Sequence, residues 1–253
     1  MIYFGKTDIG KLRKGNQDNF GIYEIAENAL LLAVCDGMGG AAGGEEASRL
    51  ALEAFSGEVK AVCEPRIEEG KLCREGIDMH ILLANAAECA NKAVYSTAQA
   101  RPELSGMGTT LVALFIIDSV AHSVNVGDSR MYRISGGEIE QITHDHSYVQ
   151  YLVDIGKMTP EEAKNSTNRN IITRAVGTEQ KTEPDIENID LDKGGEDTYF
   201  MLCSDGLTGV VSDEEIAKIV SGDGDLEEKV QALIEKANQG GGPDNITVVL
   251  FRK

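Results

Sequence analysis

The stretch LLLAVCDGMGGAAGGEEAS (31–49) decides how this chain folds. An apolar run leads into a glycine-rich turn, and the turn leads into a helical pattern. G-M-G-G-A-A (37–42) fits the permissive GxGxxA form of a dinucleotide-binding turn, in which backbone N–H groups at a helix N-terminus cradle a pyrophosphate. Asp36 argues against that use, because its carboxylate would face the pyrophosphate with no charge to offset it. The following helix carries Ala47, Leu50, Ala51, Ala54 and Phe55 at helical spacing. It leads to a second helical pattern near 77–98, striped by Leu82, Ala86, Cys89, Ala93 and Thr97, where the dinucleotide fold needs a parallel strand. The loop therefore reads as one that holds a metal, its glycines letting the backbone come close to the ion.

Outward from this stretch, strand-like runs alternate with helical ones and no low-complexity linker intervenes. The strand candidates are FGIYE (20–24), ALLLAVCD (29–36), TLVALFIID (110–118), AHSVNVGD (121–128), RMYRI (130–134), TYFMLCSD (198–205) and NITVVLFR (245–252). Several are adjacent with short connections, which favours antiparallel hairpins over parallel crossovers. Two late helices are expected. One opens on the capping pair Ser212 and Glu215, and the other carries Leu226, Val230, Leu233, Ile234 and Ala237 before stopping at Gly240. Residues 143–195 read as a long mixed segment with a short helix at PEEAK (160–164). The pattern is α+β: packed antiparallel sheets with helices outside, in a single domain over 1–253.

A net charge of −18 argues against binding nucleic acid or an anionic membrane. No apolar run approaches the roughly 18 residues of a membrane span. MIYFGKTDIGKLRKGNQD (1–18) shows no basic stretch followed by an apolar core, so no secretory signal is expected. Five cysteines (Cys35, Cys63, Cys73, Cys89, Cys203) form no CxxC pair and are odd in number, the pattern of reduced thiols in a cytoplasmic protein. If the substrate of so acidic a chain is a phosphate ester, divalent cations must reverse the sign locally.

Four strand ends carry an aspartate beside glycine or proline: Asp36-Gly37, Gly127-Asp128, Asp205-Gly206 and Pro243-Asp244. Any one of them could be only a turn, since Asp-Gly is a favoured turn dipeptide. Asp36 and Asp205, however, end strongly apolar runs and precede helical segments, so neither is a simple hairpin turn. Carboxylates gathered at neighbouring strand ends repel one another unless cations lie between them, and an all-oxygen set suits magnesium or manganese. His144-Asp145-His146 is the other possible ligand group, though imidazole is not the preferred ligand of those ions. Arg13 in KLRKGNQD (11–18) could grip a phosphate through its planar fork, or could belong to a solvated surface turn.

Together these stretches resemble the metal-dependent protein phosphatases, the type 2C serine/threonine phosphatases in their stand-alone bacterial form. The matching segments run in the family's order: RKGNQD (13–18), AVCDGMGG (33–40), SGMGTTLVAL (105–114), VNVGDSRMYRI (124–134), QITHDHS (141–147), RNIITRAVG (169–177), MLCSDGLTGVVSDEEI (201–216) and GGPDNITVVL (241–250). The resemblance implies a sandwich of two antiparallel sheets flanked by helices on both sides, in α/β/β/α layers. It implies a site for two Mn2+ or Mg2+ ions bridged by Asp36, with Asp205 and Asp244 on one ion and the Gly37 carbonyl on the other. Asp128, with Asp205, matches a third and weaker site. Asp18 and Gln17 would act one layer out, Asp18 through metal-bound water, and Arg13 would bind the substrate phosphate. The implied reaction is in-line attack on phosphoserine or phosphothreonine by a water or hydroxide bridging the two metals. The implied partners are phosphorylated proteins, a serine/threonine kinase among them, met by a monomer in the cytoplasm. Residues 148–175 correspond to a flap near the substrate.

The chain departs from the family at three places. Gln17 stands where many members have glutamate, and Met38 and Ala41 stand where some have histidines. The proton donor to the leaving alkoxide is thereby unassigned. Residues 57–80 match no motif and fall to variable helix ends. A non-catalytic relative that binds phosphoproteins is the second reading, although such relatives usually lack metal aspartates and none is missing here.

Overall fold

Ala29–Met38 forms one ten-residue strand that runs antiparallel to both of its main neighbours, which excludes the parallel sheet of a dinucleotide-binding fold. Every residue from Ala29 to Cys35 is buried, because this strand has apolar layers on both faces. Its odd-numbered side chains, Leu31, Ala33 and Cys35, join a core formed with helices; its even-numbered ones, Leu30, Leu32 and Val34, join a core formed with a second sheet. The uninterrupted apolar run is thus the signature of a strand in the middle of a layered sandwich.

The computed structural model describes residues 1–193, 195 and 197–253; the side chain of Ala41, one of the three departures, lies outside the described residues. In chain order the elements are β1 (Ile2–Asp8), β2 (Asp18–Ala26), β3 (Ala29–Met38), α1 (Ala41–Cys63), β4 (Ile67–Glu68), β5 (Lys71–Leu72), α2 (Met79–Ala100), β6 (Gly108–Thr109), β7 (Leu111–Ile117), β8 (Val120–Val126), β9 (Arg130–Ser135), β10 (Glu138–Gln141), α3 (Tyr148–Asp154), α4 (Pro160–Lys164), β11 (Asp185–Asp190), β12 (Thr198–Cys203), α5 (Asp205–Thr208), α6 (Asp213–Ser221), α7 (Leu226–Gln239) and β13 (Ile246–Arg252). Sheet I has the order β11-β8-β7-β3-β2, with β6 added to the end of β3. Sheet II has the order β1-β13-β12-β9-β10, and all the pairings in both sheets are antiparallel.

Three apolar layers hold the sandwich together. Between the sheets, Leu32, Val34, Val112 and Leu114 meet Met131, Phe200, Leu202 and Val249. Outside sheet I, α1 and α2 bring Ala47, Ala51, Phe55, Leu83 and Ala90 against it. Outside sheet II, α6 and α7 bring Ile216, Val220, Val230, Leu233 and Ile234 against Met201, Val248 and Leu250. The architecture is therefore α+β, with helices on both sides of two packed antiparallel sheets. Ser212 and Asp225 each close a capping box, with Glu215 and Glu228.

Several expectations change. The buried stripe of α2 is Leu82, Leu83, Ala86, Ala87, Ala90, Val94 and Ala98, whereas Cys89 is exposed, because two surfaces, sheet I and α1, set which face turns inward. Residues 121–134 are not a hairpin: β8 lies in sheet I and β9 in sheet II, so Gly127–Ser129 crosses between sheets. Residues 57–80 include the small hairpin β4–β5 as well as helix ends. Edge strands β1 and β11 and helix α3 are additional elements, and PEEAK is a helix as expected.

Candidate active site

Side-chain parity carries the apolar layer between the sheets to a polar mouth. On β3 the even positions Leu30, Leu32 and Val34 continue to Asp36. On β2, Phe20 and Ile22 precede in space Asp18, which lies directly opposite Asp36 in register. From sheet II, Phe200 and Leu202 lead to Ser204, and Phe251 and Val249 lead back to Thr247. Both hydroxyls donate to Asp18 Oδ2 at 2.7 Å. Asp18 is buried, and its Oδ1 has no hydrogen-bond partner. Burial, only partly offset by those hydroxyls, pushes its carboxyl up to about 6.

Asp36 is fixed by its backbone. Its N–H donates to Thr110 Oγ1 at 2.9 Å, while its carbonyl accepts from Thr109 Oγ1 at 2.8 Å and Thr110 N–H at 2.9 Å. At Gly37 a β-carbon would lie 2.0 Å from the Gly44 carbonyl oxygen, so only glycine lets β3 meet the start of α1 here. Asp205 opens α5, and Asp244 precedes β13. Asn245 is the staple beneath: it accepts from Gln17 N–H at 2.9 Å and donates to the carbonyls of Ile9 and Gly15 at 2.9 and 3.0 Å. That staple lays residues 9–17 across the mouth and brings Arg13 to Asp244 at 2.6 Å.

Five carboxylates lie within electrostatic reach of one another. Burial first, then Asp18 and Asp205, raises Asp36 well above the usual carboxylate range. Burial and then Asp244 raise Asp205, against a hydrogen bond from Asp36. Burial, Asp205 and Asp145 push Asp128 up to about 8. No three His, Cys, Asp or Glu side chains among the described residues are drawn together closely enough to grip an ion as they stand, Asp244 leaning on Arg13 instead. The donor set nevertheless fits hard divalent cations: it is all oxygen, half-buried or buried, and includes one buried carboxylate oxygen without a partner.

A groove of about 620 Å³ runs from Arg13, Asp128, Asp205 and Asp244 to the segment 147–170, where Lys164 and Arg169 line it. The structure thus brings together Arg13, Asp18, Asp36, Gly37, Asp128, Asp205 and Asp244. The Gln17 amide donates to the Gly40 carbonyl at 2.5 Å and ties down the glycine loop. Met38, whose side chain carries no titratable proton, ends β3. His144 is exposed and faces Asp154 at 2.8 Å, Asp145 holds Arg130 with both oxygens, and His146 is buried. That trio is structural. Thr109, Thr110, Ser204, Asn245 and Thr247 are functional supports that sequence reasoning did not single out, although each lies inside a quoted motif.

The sequence matches the Protein phosphatase 2C family over residues 12–242. The chain belongs to that family. Serine/threonine phosphatase stp of Listeria monocytogenes is 37% identical over 248 residues, covering 98% of this chain and 94% of the relative. The crystal structure of serine/threonine phosphatase Stp1 from Staphylococcus aureus superposes with a TM-score of 0.88 at 37% identity, over 99% of this chain and 94% of that one. The catalytic domain of serine threonine protein phosphatase PstP, solved in complex with two manganese ions, gives a TM-score of 0.80 at 37% identity, over 98% of this chain and 96% of that one. This protein phosphatase 2C member is therefore a phosphatase of a metal-dependent family, and no helix among its described residues is long and apolar enough to cross a membrane.

Proposed function

We propose that this chain is a Mn2+- or Mg2+-dependent protein phosphatase acting on phosphoserine and phosphothreonine. Asp36, the Gly37 carbonyl, Asp205 and Asp244 would hold two ions, and Asp128 with Asp205 a third, weaker one. The observation that carries the reading is the set of mutually raised carboxyls beside an arginine at the mouth of the sandwich. When bound, the ions supply charge neutralisation and an activated water near neutral pH.

The chain's own residues do the rest. The Arg13–Asp244 pair is half-exposed, 48% and 32%, so it is worth little by itself and its exchange for a phosphoryl group costs little. Arg13 then matches two phosphoryl oxygens with its fork and stabilises the charge that grows on them. Asp18, anchored by Ser204 and Thr247, presents its unpartnered Oδ1 toward the mouth as an acceptor that orients water. Gln17 keeps the glycine loop in place. Water oxygen attacks phosphorus in line and gives up a proton to solvent, the ester P–O bond breaks opposite, and the leaving serine or threonine oxygen takes up a proton from solvent in turn. By likeness to the family, and not from any residue of this chain, its substrates would be phosphoproteins, a serine/threonine kinase among them, met in the cytoplasm by a monomer whose catalytic domain spans 1–253.

Phosphate release from a phosphothreonine peptide, measured with Mn2+, with Mg2+ and with chelator, tests the proposal. Release should need metal and should vanish in Asp205→Asn while the circular dichroism spectrum is kept. Full activity in chelator, or in that variant, would sink it.

A further inference from the structure

Asp128 sits on the segment Gly127–Ser129 that leaves sheet I and enters sheet II, so neither sheet's ladder holds it. Its neighbours are fixed instead by side-chain bonds. Ser129 Oγ lies 2.7 Å from Thr110 Oγ1, the same hydroxyl that accepts from Asp36 N–H. Gly127 is bracketed by His146, and Asn125 Nδ2 donates to its carbonyl as well, at 3.4 Å. The His146 backbone N–H donates to the Gly127 carbonyl at 2.9 Å, and the Gly127 N–H donates to His146 Nδ1 at 3.1 Å. Gly127 has φ +114°, and a β-carbon there would meet Thr110 Cγ2 at 2.6 Å. The backbone just before Asp128 is thus held in a conformation that depends on an external clamp.

The clamp has one working tautomer. Since Nδ1 accepts from Gly127, the ring proton lies on Nε2 and is donated to Asp185 Oδ2 at 2.9 Å. Arg174 Nη1, at 3.0 Å from Nε2, faces it as donor to donor; the two share Asp185, whose Oδ1 accepts from Arg174 at 2.7 Å. The His146 ring is buried while Asp185 is part-exposed, so it is the Gly127 end of the clamp that is shielded from water. Its own carbonyl accepts from Thr173 N–H at 2.8 Å, and Ser147 bridges to Ile172, which makes the clamp the root of the segment 148–170 that roofs the groove.

We propose that His146 is a positioning residue for Asp128, holding that carboxylate at the metal site through the Gly127 peptide, with Asp185 fixing the imidazole. This rests on the reading of Asp128 as a metal carboxylate. The test is Mn2+ binding to the full chain, followed by the paramagnetic resonance signal of unbound Mn2+, in Asp128→Asn, His146→Leu, their combination and His146→Asn. Asparagine places its Oδ1 where the imidazole has Nδ1, so it keeps the acceptor for Gly127 while giving up Asp185.

Asp128→Asn and His146→Leu should each weaken the loosest Mn2+ bound by about 10- to 100-fold. The double variant should be no weaker than Asp128→Asn, and His146→Asn should keep most of the parent affinity. Parent-like binding in His146→Leu, additive losses in the double variant, or a loss in His146→Asn equal to that of Asp128→Asn would each overturn the proposal. If His146→Leu does not fold, His146→Asn decides alone. Parent-like binding in Asp128→Asn would instead remove the premise that Asp128 holds metal, and the proposal with it.

Discussion

Asp18 shows the cost of the site in a single side chain. Its charge is buried for the sake of one unpartnered oxygen, and its two hydroxyl partners come from residues 186 and 229 positions away. Asp18→Asn should therefore stabilise the metal-free protein at pH 8, raising its melting temperature by about 2–4 °C for each kcal/mol recovered, and should shrink the further rise on adding Mn2+. Differential scanning calorimetry with chelator and with Mn2+ checks both. Arg13→Lys keeps the charge and loses the fork, so kcat/KM on a phosphothreonine peptide should fall by about 10- to 100-fold, the worth of one charged hydrogen bond. Asp36 and Asp205 were legible in the sequence because each interrupts an apolar run. Ser204 and Thr247 were not, since a hydroxyl paired with a carboxylate so far along the chain leaves no local pattern. The Gln17 contact was not legible for a related reason: an amide's partner is set by the loop that folds over it, here Gly40.

At the scale of elements, β3 and the loops around it decide whether a site forms. Gly37→Ala should cost about 3 kcal/mol, because the added methyl meets the rigid Gly44 carbonyl and not a side chain that could turn away. Urea unfolding of the metal-free protein measures it, and a near-neutral result would show that the turn from β3 into α1 can move. Central strands and outer helices were readable because burial on both faces of β3, or on one face of α7, writes a periodic apolar pattern. The edge strands β1 and β11 were not. Only Ile189 of β11 is buried and no residue of β1 is, so each takes its strand form from a partner, β8 or β13, instead of from its own sequence. The crossing at Gly127–Ser129 was not legible because the sequence marks a turn there without saying which sheet receives the next strand.

For the whole molecule, the raised carboxyls make folding and metal binding oppose each other in pH. Asp18 and Asp128 have folded-state pKa values of about 6 and about 8, above their ordinary 3.8. Each therefore holds a proton in the folded chain that the unfolded chain releases, and this stabilisation is lost as the pH rises through those values. Metal ligands must be deprotonated, so binding weakens as the pH falls. Between pH 6 and 8 the melting temperature in chelator should fall with rising pH, while the Mn2+-induced increment should grow; parallel profiles would contradict this assignment. With Asp36 carried on sheet I and Asp205 and Asp244 just beyond the ends of sheet II strands β12 and β13, an ion gripped from both sides would act as a rivet through the sandwich. Slippage of one sheet over the other would then be resisted most at this end, and amides of β3 and β12 should gain hydrogen-exchange protection together when Mn2+ is added.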